Sequence, residues 1–284
     1  MKKLAIGLLA FFLGVALCSP SLWAGDVLSQ TEPEGAVTQA APEAVMTQKA
    51  PDGLVQAQEL MDLVQAQELV EKEGLENFKK ALDLCTKALK KDPNNFKANW
   101  MAAKACWFYG MYTQELYFTD WKDICRLYGK KGMAYAGKAI ILYPNRVEGH
   151  FWYGMNVGIY TDSVSIITAL IEGLKSKVQN SFETAYKYDK YYEHGGPIAA
   201  LGRFWAILPW PLNDKKLAMK YYREFHKTKF YGLPYTVQFN VYFAELLMDN
   251  RKTRKEAKAL LEQVPKISKN KYWNDQAKAL LDDM

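Results

Sequence analysis

The sequence predicts an all-α protein, a solenoid of antiparallel helix pairs, on three observations. From about residue 54 apolar residues recur at spacings of three and four, without the sustained alternation of a half-buried strand. Small residues precede proline turns, as in Ala81, Cys85, Ala88 and Pro93, and again in "AIILYPNRVEGHFWYG". Aromatic residues and a glycine follow each turn, closing at Gly110, Gly154 and Gly202, where a second helix can approach closely.

The chain begins differently. Lys2 and Lys3 precede an apolar run, Leu4 to Leu17, too short to span a membrane as a mature helix. Residues 1–24 therefore read as a signal peptide cleaved after Ala24, and the expected location is the periplasm. Cys18 follows the apolar run and offers a lipid anchor as the competing expectation, but Leu17 stands where a small residue is usual. Loss of residues 1–24 lowers the net charge from +6 to +4, too mild an excess for a nucleic-acid footprint. The remaining cysteines, Cys85, Cys106 and Cys125, are odd in number and argue against a disulfide framework.

Residues 25–53, rich in Ala, Thr, Gln, Pro and Glu, cannot bury enough apolar surface to offset ordering and read as a flexible linker. The helical domain is expected over 54–284. Its first helix carries an echo, Leu54 to Leu60 repeated as Leu63 to Leu69. Nine residues at about 100° each leave the copies half a turn out of phase, so equivalent side chains face opposite sides and the echo is no stacking unit.

The longer repeat is the structural one. Ala81, Cys85, Ala88 and Pro93 fill a second helix and its turn; Ala98, Ala105, Gly110 and Tyr112 fill the next first helix; Leu201 and Gly202 with Ala218 and Tyr222 form a later copy. This resembles the tetratricopeptide repeat over roughly residues 75–264, which implies a tetratricopeptide-like α-solenoid of antiparallel helix pairs. Two stretches, 113–131 and 161–177, read as inserted helices. They carry Leu116, Phe118, Trp121, Ile166, Ile167, Leu170 and Leu174, apolar surface that a lid or a subunit interface would bury. With "HFWYGMN" and "GGPIAALGRFWAILPWPL", the arrangement is similar to the periplasmic T-component family of tripartite ATP-independent periplasmic (TRAP) transporters. That resemblance implies a non-enzymatic accessory protein, a cavity for an apolar ligand, docking onto a periplasmic solute-binding protein, and a homo-oligomer.

Motifs for catalysis are missing. His150, His194 and His226 lie far apart with no metal-binding context, "GGP" at 195–197 lacks the rest of a phosphate loop, and Cys125 has no paired histidine. No enzyme, cofactor or metal is expected. Gly195, Gly196 and Pro197 read instead as a turn leading into a helix, and Asn213 as the N-cap after the helix-breaking "LPWPL".

Carrying the tetratricopeptide register across places Lys97, Trp100, Lys104, Trp107, Phe108, Phe151, Met155, Ile159 and Arg203 on the inner groove. Aromatic stripes of this spacing also build cores. A groove of aromatics with three basic residues suits an apolar or amphipathic organic acid, its carboxylate fixed by a cation. The alternative is a general envelope scaffold that assembles proteins on its concave face. The last segment, with Trp273 and Leu280, reads as a capping helix that keeps the array soluble.

Overall fold

Helix follows helix, each packed on its neighbour in the chain, because every apolar stripe is too narrow to be buried alone. The computed structural model describes residues 52–164 and 166–284, with side chains from residue 58 except at 165, 166 and 169. The expected signal peptide with Cys18, nearly all of the linker and the Ile166 side chain lie outside the described residues. Ala50–Met284 forms one compact unit.

The helices are α1 (Asp52–Glu71), α2 (Leu75–Lys91), α3 (Phe96–Glu115), α4 (Trp121–Leu142), α5 (Val147–Ser163), α6 (Ile166–Ile171) and α7 (Leu174–Asp189). They continue as α8 (Tyr192–Ile207), α9 (Lys215–His226), α10 (Val237–Met248), α11 (Arg254–Ile267) and α12 (Lys271–Asp282), with a short 3-10 turn at Pro234–Thr236. There is no strand among the described residues.

Local chemistry sets the boundaries. The turn before α3 ends at Asn95, whose side chain accepts from the Ala98 amide at 2.9 Å, an N-cap that satisfies one orphan donor. Asn270 does the same for α12. At α9 the cap is Asp214, accepting from Leu217 N at 2.8 Å, one residue beyond the expected Asn213. Near the start of α8 three successive residues, Glu193, His194 and Gly195, take positive φ and kink it, and the helix proper restarts with Pro197 in its first turn.

The small residues sit where helices touch. Ala81, Cys85 and Ala88 are buried along α2. Gly202 stands against Tyr222, where an added Cβ would come within 3.1 Å of the ring. The echo in α1 behaves as its phase requires, since Leu60 is exposed while its counterpart Leu69 packs on the α1–α3 core.

The insertions differ from expectation. Residues 113–131 mainly lengthen α3 and α4, leaving Leu116 and Phe118 exposed and Trp121 half-buried. The apolar stretch 163–178 is not one helix, because the chain breaks around Gly173, which adopts a left-handed conformation between α6 and α7. The array then closes on itself. Glu115, at the end of α3, accepts from Trp273 Nε1 at 3.0 Å and from Asn270 Nδ2 at 2.8 Å, tying α12 to the first half of the solenoid.

Candidate functional site

A partly open cavity lies between α3, α5, α7, α8 and α10. Trp107 and Met111 of α3, Phe151, Met155, Ile159 and Asp162 of α5, Leu170 of α6, Leu174, Val178 and Phe182 of α7, Phe204 and Ile207 of α8, and Phe239 and Tyr242 of α10 are in its wall. Its free space is about 170 Å³, on the scale of the ~150 Å³ engineered cavity that stays dry and takes up benzene. Glycine shapes it at two points. A Cβ on Gly196 would meet the Phe151 ring at 2.5 Å, and one on Gly154 would meet Phe182 at 2.3 Å.

The lining is apolar except for Thr161, Asp162, Lys175, Arg203, Gln238 and the Tyr242 hydroxyl. The Arg203 guanidinium lies 4.0 Å from the centre of the Tyr242 ring, a cation–π contact. Its Nη1 donates to Glu245 Oε2 at 2.6 Å, and no other hydrogen bond of Arg203 occurs among the described residues. Lys175 Nζ donates to Gln179 and stands 5.6 Å above the Trp205 ring. Asp162 has no hydrogen-bond or ion-pair partner among the described residues. Its side chain is exposed where it borders the cavity. Neighbouring protein raises its pKa above the ordinary 3.8 by taking away part of its hydration, with the positive charge of Arg203 pulling the other way.

Five of the nine groove residues read from the sequence meet at this cavity: Trp107, Phe151, Met155, Ile159 and Arg203. Four do not border it. Lys97, Trp100 and Lys104 lie on the same stripe of α3 as Trp107 but nearer its N-terminus. At about 1.5 Å per residue the stripe outruns the cavity. Lys97 borders a separate surface depression with Tyr143 and Arg146. Trp100 packs into the core between α3 and its neighbours. Lys104 pairs with Glu193 at 2.6 Å, at the kink near the start of α8. Phe108, turned about 100° from Trp107, stacks on Phe78 with ring centres 5.2 Å apart.

The other reactive groups are occupied. Cys125 Sγ donates to Gly110 O at 3.3 Å, and burial pushes all three described thiols up to about 12, far from the thiolate a nucleophile needs. His150 bonds the Pro144 carbonyl, His194 stacks on Tyr235 and His226 on Tyr231. Among the described residues no three His, Cys, Asp or Glu side chains are grouped to hold a metal ion.

Comparison with solved structures decides the architecture. TTC0263, a thermophilic TPR protein of Thermus thermophilus, superposes with a TM-score of 0.55 at 16% identity, over 78% of this chain and 99% of that one. The fold is that of a tetratricopeptide-repeat protein. MamA superposes with a TM-score of 0.43 at 13% identity, over 72% of this chain and 89% of that one. The family model of regulator of microtubule dynamics protein 1-3 matches residues 62–193, less than half of the 284-residue chain. It is a different family from the transporter component that the sequence resembles. No curated protein matches the sequence.

Proposed function

We propose that this protein is a non-enzymatic binding scaffold that holds an apolar or amphipathic organic acid inside its solenoid. The observation that carries the reading is the cavity itself, an apolar chamber with Arg203 in its wall. Burial of a hydrocarbon chain there stabilises a complex by roughly 25 cal/mol per Å² of apolar surface, and the guanidinium orients the carboxylate.

We further assign it, on the sequence resemblance, to a periplasmic solute transport system, as an accessory that docks onto a solute-binding protein. A tetratricopeptide-like array is suited to protein partners, and the lengthened α3–α4 hairpin with exposed Leu116 and Phe118 offers apolar surface for one. The general scaffold alternative would use that surface and hold no small molecule.

Native mass spectrometry of protein purified without added lipid tests the first part. The reading expects a co-purified acid; a chain that is empty and also fails to take up added octanoate would exclude it. Affinity capture from periplasm tests the second, where recovery of a transporter's solute-binding protein supports the transport role and recovery of assembly factors alone favours the scaffold.

A further inference from the structure

Each of α3, α5, α7, α8 and α10 presents an aromatic side chain to the cavity: Trp107, Phe151, Phe182 and Phe204 from the first four, and Phe239 with Tyr242 from the last. A molecule held there meets rings from several helices at once. Two of the rings are pinned. Phe151 lies against Gly196 and Phe182 against Gly154, so closely that neither glycine has room for a Cβ. The two ring centres stand 6.5 Å apart with their planes at 52°. Packing this close leaves the rings little freedom to turn, so the surface they offer is preformed. Gly158 also borders the cavity, and the space where its Cβ would stand is open.

The free space of about 170 Å³ matches a cavity that takes up a single benzene ring. Arg203 borders the same space with donors to spare, since a guanidinium carries several N–H groups and only Nη1 is engaged, by Glu245, among the described residues. The Tyr242 ring stands 4.0 Å from that guanidinium, so a carboxylate bound to Arg203 sits beside an aromatic face.

We propose that the acid is an arylalkanoate, a single aromatic ring joined to a carboxylate by a short chain, with its ring held among Phe151, Phe182 and Phe239 and its carboxylate on Arg203. This rests on the organic-acid reading above and names the substrate class for that site. Edge-to-face and offset contacts between rings favour an aromatic ligand over a saturated one of the same outline. Met111 and Met155, both in the wall, add sulfur–ring contacts of the same preference. The hydrophobic effect alone ranks the two ligands the other way, because a cyclohexyl group has more apolar surface to bury than a phenyl group.

Calorimetric titration of phenylpropionate, cyclohexylpropionate and octanoate into the wild type reads that ranking. Phenylpropionate is expected to bind at least about threefold more tightly than either of the others, the scale of a favourable ring pair. Phe182→Leu and Phe239→Leu each shrink the preference, whereas Phe118→Leu, whose ring is exposed away from the cavity wall, keeps it. A wild type that binds cyclohexylpropionate or octanoate as tightly as phenylpropionate overturns the proposal and leaves the organic-acid reading standing. A preference undiminished in a folded Phe182→Leu or Phe239→Leu variant does the same. If none of the three acids binds, it is the organic-acid reading that fails.

Discussion

Gly154 of α5 stands so close to Phe182 of α7 that a Cβ on the glycine would lie 2.3 Å from the ring, and both residues border the cavity. Gly154→Ala therefore overpacks the α5–α7 contact and is expected to destabilise the fold by about 1–3 kcal/mol. The displaced ring also narrows the chamber. Gly158, one turn on, has open space around its Cβ position, so Gly158→Ala is expected to stabilise by up to about 1 kcal/mol through helix propensity. Urea midpoints of the two variants should move in opposite directions.

Gly132 makes a tighter demand. An added Cβ would sit 1.9 Å from Asn156 Oδ1, and Asn156 is fully buried with Nδ2 donating to the Ala103 and Trp152 carbonyls. The amide cannot swing away without losing both bonds. Gly132→Ala is expected to cost about 3 kcal/mol or more, and Asn156→Ala in the same chain to recover part of it. A double-mutant cycle in urea measures that coupling; simple additivity would show that the two residues do not constrain each other.

Lys104 and Glu193 separate structure from binding. The pair is mostly shielded, and the lysine also lies 5.4 Å from the Trp152 ring. Glu193→Gln weakens the anchor of the kink near the start of α8 and is expected to lower stability by about 1–3 kcal/mol. Octanoate affinity should not change, since neither residue borders the cavity. A large affinity loss in a folded Glu193→Gln variant would return Lys104 to the ligand groove.

Acid should weaken the fold through His226. Burial first, and the Arg223 charge second, lower its pKa below the ordinary 6.5. The unfolded chain thus takes up the proton at higher pH than the folded one, so stability falls as pH drops through 6.5 and levels off below the folded value. His226→Gln should flatten the urea midpoint across that window. Glu256, whose carboxyl is lowered chiefly by its hydrogen bond from Arg223, adds a further loss only at lower pH.

Much of the fold was legible because its rules are local. Ala81, Cys85 and Ala88 announce a helix interface by spacing alone, and the turn at Pro93 announces its end. The site was legible only in part. On α5 the register picked Phe151, Met155 and Ile159, which line the cavity because that helix runs along it. On α3 the same stripe runs past the cavity, because nothing local says where along a stripe the opposite wall begins. Asp162, Phe182, Phe239 and Tyr242 were missed for a related reason. The wall joins α3, α5, α7, α8 and α10, so which of their residues share it is set by packing between helices distant in the chain and not by any local pattern.

The most direct test of the central claim is to fill the chamber. Ala200 borders it from α8, and Ala200→Trp would place an indole where the ligand is expected. Calorimetric titration of octanoate into this variant, alongside the wild type and Glu193→Gln, reads the outcome once each is shown to be folded. The account predicts binding to the wild type and to Glu193→Gln, and at least a tenfold loss for Ala200→Trp, about 1.4 kcal/mol. Equal binding by a folded Ala200→Trp would contradict it, because the acid would then be held somewhere other than this cavity.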